Sequence, residues 1–292
     1  MPKILTEEQI NFYHNKGWLK VENVVPPRTI ELGRKVSAGW VDREVRTWVN
    51  QGLLEDDFAH LDLEHRLNVA WNEAGKPMYH RSPRRQIVCE ELFEFMSEPN
   101  IIDIAEDLLG SPEVFMHGVF NLRPKLPDQR WTRTPWHQDS QYYPSNTYVH
   151  TISIWMPLMR VTRENSCLQV AEGYHRGDMY AITEDEETGF LGISKEERAA
   201  IPGIPVEMEA GDALCFTQLT PHAALPNKSD AVRWSIDLRY QTIADAMVPE
   251  HNTELSGGRE KGFIARSEAD PAAEATWEQW EGQWEGDPYS NY

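Results

Sequence analysis

The period of the apolar positions changes along this chain. The segment LTEEQINFYHNKGW, residues 5–18, sets Thr6 three residues ahead of Gln9, the spacing of a capping box. Its apolar face continues through Ile10 and Tyr13, and Gly17 can end the helix. WLKVENVV, residues 18–25, then alternates as a short strand until Pro26 and Pro27 break it. Helical periodicity resumes at RTIELGRKVSAGWVDREVRTWVN, residues 28–50. Residues 28–110 read as mainly helical, with turns around EAGKP and HRSPRR. PNIIDIAEDLLG reads as a helix closed by Gly110.

Near residue 112 the texture becomes β-rich. EVFMHGVFNLRPK, HTISIWMPL, CLQVAEG, IPVEMEAGDALCF and VRWSIDLRYQ are short runs divided by Pro, Gly, Asn and Asp. Many short strands with such punctuation predict a sandwich or barrel. Helices first and strands after predict an α+β class. The tail AEATWEQWEGQWEGD carries Trp277, Trp280 and Trp284 on one face of a helix. That stripe could serve as a lid or as an oligomer contact, a homodimer included. The plainer reading is a terminal helix docking on its own domain. No internal repeat is present. One domain over 1–292 is expected, with a helical part (1–110), a β core (111–245) and a C-terminal tail (246–292).

Composition narrows the classes of function. The formal net charge of −19 gives no electrostatic reason to bind nucleic acid or an anionic membrane. No apolar run approaches the ~20 residues of a membrane span, and the N-terminus is polar by its sixth residue, unlike a signal peptide. The three cysteines, Cys89, Cys167 and Cys215, are odd in number and far apart. They suggest a reducing compartment, hence the cytoplasm, without a disulfide framework. With no CxxC pair, a structural zinc site is not expected. Cys215, in DALCF, reads as a small buried strand residue.

RTPWHQDSQYYP, residues 133–144, holds His137 and Asp139 two apart. A bare His-x-Asp is weak evidence, since the chain has another at His60-Leu61-Asp62. In an extended chain, residues i and i+2 share a side and can reach one ion. On a helix they diverge by about 200°. His60 and Asp62 lie in an acidic segment of helical character and read as a solvated helix face or its end. His137 and Asp139 follow Pro135 among β-favouring residues, so a strand or strand-edge loop is expected there. His222, after the strand-like AGDALCF run, is the natural third ligand of a 2-His-1-carboxylate set, which leaves three coordination positions open. Arg233 lies eleven residues on, where a turn at PNKSD would fold its strand back beside His222. Arginine grips a carboxylate through two parallel hydrogen bonds. Ser235, two residues further, can face the same way.

With these segments in hand, the chain resembles the phytanoyl-CoA dioxygenase family of Fe(II)- and 2-oxoglutarate-dependent oxygenases. NLRPKLPDQRWTRTPWHQDSQYYP is similar to the family's first metal motif, and EMEAGDALCFTQLTPHAALPNKSDAVRWSIDLRYQ to the second with its downstream arginine. LTEEQINFYHNKGWLKVENVV, TISIWMPLMRVTRENSCLQVAEGYHRG and GFIARSEADP extend the likeness over nearly the whole chain. The resemblance implies a double-stranded β-helix (jelly-roll, cupin-like) core with flanking N-terminal and C-terminal helices. It implies iron bound by His137, Asp139 and His222, and 2-oxoglutarate held at its far end by Arg233, with Trp155 lining the pocket. O2 would be the second co-substrate, and succinate and CO2 the by-products. The intact Asp139 disfavours halogenation, for which related enzymes carry a small residue there. Two positions depart from the family's usual pattern: Ser166 stands where Asn-Gly-Cys-Leu is common, and Glu172-Gly173-Tyr174-His175 where Pro-Gly-Ser-His is common.

Other assignments come from position alone. Asn121, on HGVFNLR, could approach the co-substrate. Gln138, Tyr142 and Tyr143 flank the metal motif and are candidates for the substrate pocket. The expected partner is a small polar or secondary-metabolite molecule. The net charge argues against a large acyl-CoA, unless Arg81, Arg84 and Arg85 form a local basic patch rather than a solvated turn. The rival class is a jelly-roll binding protein, without turnover or with another metal; Arg233 placed after His222 speaks against it.

Overall fold

A computed structural model describes residues 2–78, 83–129, 132–142, 150–186, 189–248 and 261–285. Helix α1 (Glu7–Lys16) begins with the expected box: the Thr6 hydroxyl accepts from the Gln9 amide, and the Gln9 side chain accepts from the Thr6 amide. Gly17, at φ 83°, ends it in the left-handed region. Strand β1 (Trp18–Val21) leads to α2 (Pro27–Asn50), whose Pro27 sits in the first turn, where a missing N–H costs nothing. Helices α3 (Leu63–Glu73), α4 (Glu90–Met96) and α5 (Pro99–Leu109) complete the helical part, and Gly110 closes α5 at φ 66°.

The β-rich runs resolve into more strands than their number suggests. EVFMHGVFNLRPK divides into β2 (Val114–Met116) and β3 (Asn121–Lys125), because the register against the later strand shifts between the Met116–Tyr240 and Asn121–Asp237 pairs. Next come β4 (Ile152–Pro157), β5 (Leu168–Val170) and the hairpin of β6 (Ile182–Glu184) and β7 (Leu191–Ile193). A short helix, α6 (Lys195–Arg198), precedes β8 (Ile204–Val206), β9 (Ala213–Thr217), β10 (His222–Ala224) and β11 (Arg233–Thr242). The short α7 (Ile243–Ala246), β12 (Phe263–Arg266) and α8 (Trp277–Gly282) end the described chain.

The large sheet runs β1-β9-β4-β11-β2-β12, with β3 also paired to β11; the small sheet runs β10-β5-β8. Strand β11 is the spine. It pairs with β4 along one edge and with β3 and then β2 along the other. Its outward residues Trp234, Ile236, Leu238 and Tyr240 are buried in a core shared with the helices, where Trp40 meets Trp234 edge-on at 6.2 Å. Its inward residues read Arg233, Ser235, Asp237 and Arg239, also buried. A second apolar cluster, with Trp155, Leu214 and Phe216 from the large sheet and Leu168, Val170 and Val206 from the small one, packs the two sheets together. This is the jelly-roll arrangement with flanking helices, of the α+β class.

One expected connection is different. The turn after His222 does not fold β11 back beside β10 as a hairpin. Strand β10 pairs with β5 in the small sheet, and β11 belongs to the large one. His222 and Arg233 thus come from different sheets and line the same cavity. The tryptophan stripe docks on its own chain. Trp280 and Trp284 are buried against Phe120, and Trp280 also meets Phe93 and Phe263. All three cysteines are free, and no described helix is long and apolar enough to cross a membrane.

Candidate active site

Backbone pairing brings the two histidines together. His137 and His222 are partners in an isolated antiparallel bridge, with N···O distances of 3.0 and 2.9 Å. Their ring centroids are 4.1 Å apart. In each ring Nδ1 lies against the carbonyl two residues back: Pro135 at 2.9 Å for His137, Thr220 at 3.0 Å for His222. A carbonyl only accepts, so each Nδ1 carries the proton and each Nε2 keeps its lone pair. Both Nε2 atoms face Asp139 Oδ1, at 3.5 and 3.8 Å.

Asp139 does not continue an extended strand, as the i, i+2 spacing suggested. It opens a 3-10 turn, Asp139–Tyr142, and that turn aims the carboxylate. Its Oδ2 accepts from the Ser153 hydroxyl and from Arg239 Nη2, the latter at 3.1 Å. Burial alone would raise the Asp139 pKa. The Arg239 guanidinium, with the His137 and His222 rings beside it, holds it well below the usual carboxylate range. Burial, with His137 beside it, lowers the His222 pKa to about 3, so the imidazole is neutral and free to donate. The three donor atoms lie within 4.8 Å of one another and all three residues are buried. Two imidazole nitrogens and one carboxylate oxygen suit Fe(II). The other His-x-Asp does something else: Asp62 is the exposed N-cap of α3 and accepts from the His65 amide at 3.0 Å.

A cavity with about 60 Å³ open to the centre of a water molecule reaches the histidines and continues to Arg233. Arg233 is 2% exposed. Its Nη1 donates to the Ser235 hydroxyl at 2.5 Å, its guanidinium lies 5.2 Å from the Trp155 ring centre, and its Nε has no hydrogen-bond partner among the described residues. Burial and nearby Arg123 lower its pKa to about 9, which leaves it cationic at neutral pH. A buried guanidinium with an idle donor is a ready anion site. Trp155 lines the cavity, and both Trp155 and Ser235 contact Arg233.

Three other candidates are occupied elsewhere. Asn121 is the register partner of Asp237 and donates to its carboxylate at 2.8 Å, while accepting from Arg84 at 3.3 Å. It shares the inward face with Asp237, and it is that carboxylate, not the Asn121 amide, that lines the cavity. Gln138 is fully buried and spends its amide on backbone, donating to the Leu219 carbonyl and accepting from the Tyr180 amide, both at 2.8 Å. Tyr142 lies edge-on to His137 at 5.6 Å, but its hydroxyl donates to the Leu191 carbonyl and it is absent from the cavity lining. Tyr143 and Arg81 lie outside the described residues. Arg84 is turned inward to the Phe120 carbonyl, at 2.9 Å, rather than forming a surface patch.

Sequence reasoning missed Arg239, Asp237, Arg123 and Lys125, which also line the cavity. The alternation that led from Arg233 to Ser235 continues to Asp237 and Arg239, so half of that signal was present. The departure at Ser166 has a local account. Its φ is 80°, a region glycine enters freely, and its hydroxyl donates to the Leu225 carbonyl.

A jelly roll with a 2-His-1-carboxylate cluster facing an anion site defines the class of non-haem iron, 2-oxo acid-dependent oxygenases. The family model described as phytanoyl-CoA dioxygenase (PhyH) matches residues 13–235. A protein of Caenorhabditis elegans named "Probable phytanoyl-CoA dioxygenase" is 26% identical over 250 residues, covering 81% of this chain and 75% of that one. Two solved structures are similar in fold. The non-haem alpha ketoglutarate-dependent carbocyclase SnoK from nogalamycin biosynthesis has a TM-score of 0.57 at 21% identity, covering 83% of this chain and 87% of that one. The epimerase SnoN, in complex with Fe3+, alpha ketoglutarate and nogalamycin RO, has a TM-score of 0.54 at 17% identity, covering 85% and 92%. The chain belongs to the phytanoyl-CoA dioxygenase family.

Proposed function

We propose that this protein is an Fe(II)- and 2-oxoglutarate-dependent dioxygenase that hydroxylates a C–H bond of a small molecule, releasing succinate and CO2. The observation that carries the reading is the convergence of one donor atom each from His137, Asp139 and His222 within 4.8 Å. Iron bound there, with 2-oxoglutarate and O2, supplies the oxidising power. The chain supplies the rest. The Pro135 and Thr220 carbonyls fix the tautomers that present both Nε2 lone pairs. Ser153 and Arg239 occupy Asp139 Oδ2, so Oδ1 is the oxygen left to bind metal. Arg233 takes the distal carboxylate of 2-oxoglutarate, with Ser235 holding its Nη1 and Trp155 covering its face. Phe216, 4.3 Å from His222 between ring centres, helps keep the centre dry. A small-molecule substrate accords with the SnoK and SnoN neighbours.

The test is an anaerobic optical titration of Fe(II)-loaded protein with 2-oxoglutarate. The weak visible band that a 2-oxo acid gives with Fe(II) is expected in wild type and absent in His137→Ala. Folded, iron-loaded wild type that gives no band and binds no 2-oxoglutarate would overturn the reading.

A further inference from the structure

Lys125 and Arg233 are directly opposite each other in the antiparallel β3–β11 ladder. Their side chains therefore leave the sheet on the same face. Both line the cavity and each is 2% exposed. Among the described residues neither has a carboxylate partner. The Lys125 ammonium donates to the Thr132 carbonyl. Arg233 donates to Ser235 and keeps its Nε idle. The other two cavity arginines are matched: Arg123 by Asp237 at 2.9 Å, and Arg239 by both Asp237 and Asp139.

Like charges directly opposite in a sheet repel, and burial strips them of the water that would screen them. Burial and the adjacent arginines, Arg233 foremost among them, pull the Lys125 pKa well below the usual lysine range. Such a pair is relieved by one anion placed between them. A carboxylate fits, since its two oxygens accept an arginine fork and an ammonium together.

We propose that Lys125 is the second cation of the site for the distal carboxylate of 2-oxoglutarate, sharing that carboxylate with Arg233. This rests on the oxygenase reading above. A lysine reserved for an anionic substrate would have no reason to stand in register with the co-substrate's arginine. The pairing also gives the site a preference for a dicarboxylic keto acid over a monocarboxylic one.

Lys125→Met keeps the length of the side chain and removes its charge. Binding of 2-oxoglutarate and of 2-oxobutyrate, which lacks the distal carboxylate, is measured by calorimetry on Mn(II)-loaded protein without O2. The variant is expected to lose about 10- to 100-fold in affinity for 2-oxoglutarate, and less than about twofold for 2-oxobutyrate. Without co-substrate it should melt no lower than wild type, because the buried repulsion is gone. Unchanged 2-oxoglutarate affinity, or an equal loss for both keto acids, overturns the proposal while the oxygenase reading stands. Binding of neither keto acid by wild type overturns both. If Lys125→Met does not fold, Lys125→Gln carries the same comparison, with the same selective loss expected and the same two results against it.

Discussion

Replacing Arg239 by Met should weaken the metal-free protein and tighten its grip on a divalent cation. Arg239 is buried and donates to Asp139 at 3.1 Å and also to Asp237. Asp237 keeps Arg123 and Asn121 as partners, whereas Asp139 keeps only the Ser153 hydroxyl among its described donors outside the histidines. Breaking a buried ion pair by removing one partner costs about 3–5 kcal/mol. In the metal-loaded protein the cation takes over the balancing of Asp139, so the loss there should be smaller. The difference must appear as metal affinity. A saving of about 1.4–2.8 kcal/mol makes the metal bind roughly 10- to 100-fold tighter. An opposing effect is loosened positioning of the ligand, which can cost 10- to 100-fold. Ser153 still holds Oδ2, so the electrostatic gain should win. Urea denaturation with and without Mn(II), and calorimetric titration with Mn(II) at pH 8, give both sides of the cycle. Equal destabilisation of the two forms, with unchanged or weaker Mn(II) binding, would refute the reasoning.

Arg233→Ala should raise the Michaelis constant for 2-oxoglutarate about 100-fold, the value of one to two charge-assisted hydrogen bonds, with metal affinity within about twofold; steady-state kinetics and metal titration check both. Trp280→Ala should cost about 3–5 kcal/mol of stability through lost packing and the lost bond from its indole N–H to the Lys261 carbonyl, leaving 2-oxoglutarate affinity unchanged in the folded fraction. Metal-free protein should lose stability as pH falls from about 6.5 towards 3. Burial holds His117 and His222 near pKa 3, so between those values the unfolded chain binds protons that the native state refuses. Urea midpoints unchanged between pH 7 and 4 would contradict this.

How much could be read from the chain depended on how local the cause was. The α1 capping box, its Gly17 terminator and the Gly110 terminator are set by residues within one turn, and all were legible. His137, Asp139, His222 and Arg233 were legible because order and spacing carried them. What failed was direction. The route from His222 to Arg233 looked like a hairpin because a turn signal cannot say which layer receives the next strand. Asp139 looked extended because Pro135 biases only the residue before it. Asn121 and Gln138 sit beside the right elements, yet Asp237 in one case and two backbone groups in the other take their amides. Those partners lie 116, 81 and 42 residues away, beyond any periodicity argument.

The net charge of −19 is silent about the site, and the reason is where the charges are. Among the described residues the fully buried lysines and arginines are Lys125, Arg233 and Arg239, and all three line the cavity. Carboxylates dominate the total because they are numerous outside, and a total says nothing about a lumen that water and salt hardly reach. The strand that carries two of those cations shows how the fold tolerates them. On β11 the outward side chains Trp234, Ile236, Leu238 and Tyr240 join the core with the helices, while the inward ones bear the charges. Stability and chemistry thus occupy opposite faces of one strand. A change of inward residue alters charge balance in the lumen and leaves the helix-facing core intact; Arg239 is matched by Asp139 and Asp237 whereas Lys125, on β3, has no described carboxylate partner, which is why Arg239→Met and Lys125→Met should differ in sign in their effect on the co-substrate-free protein.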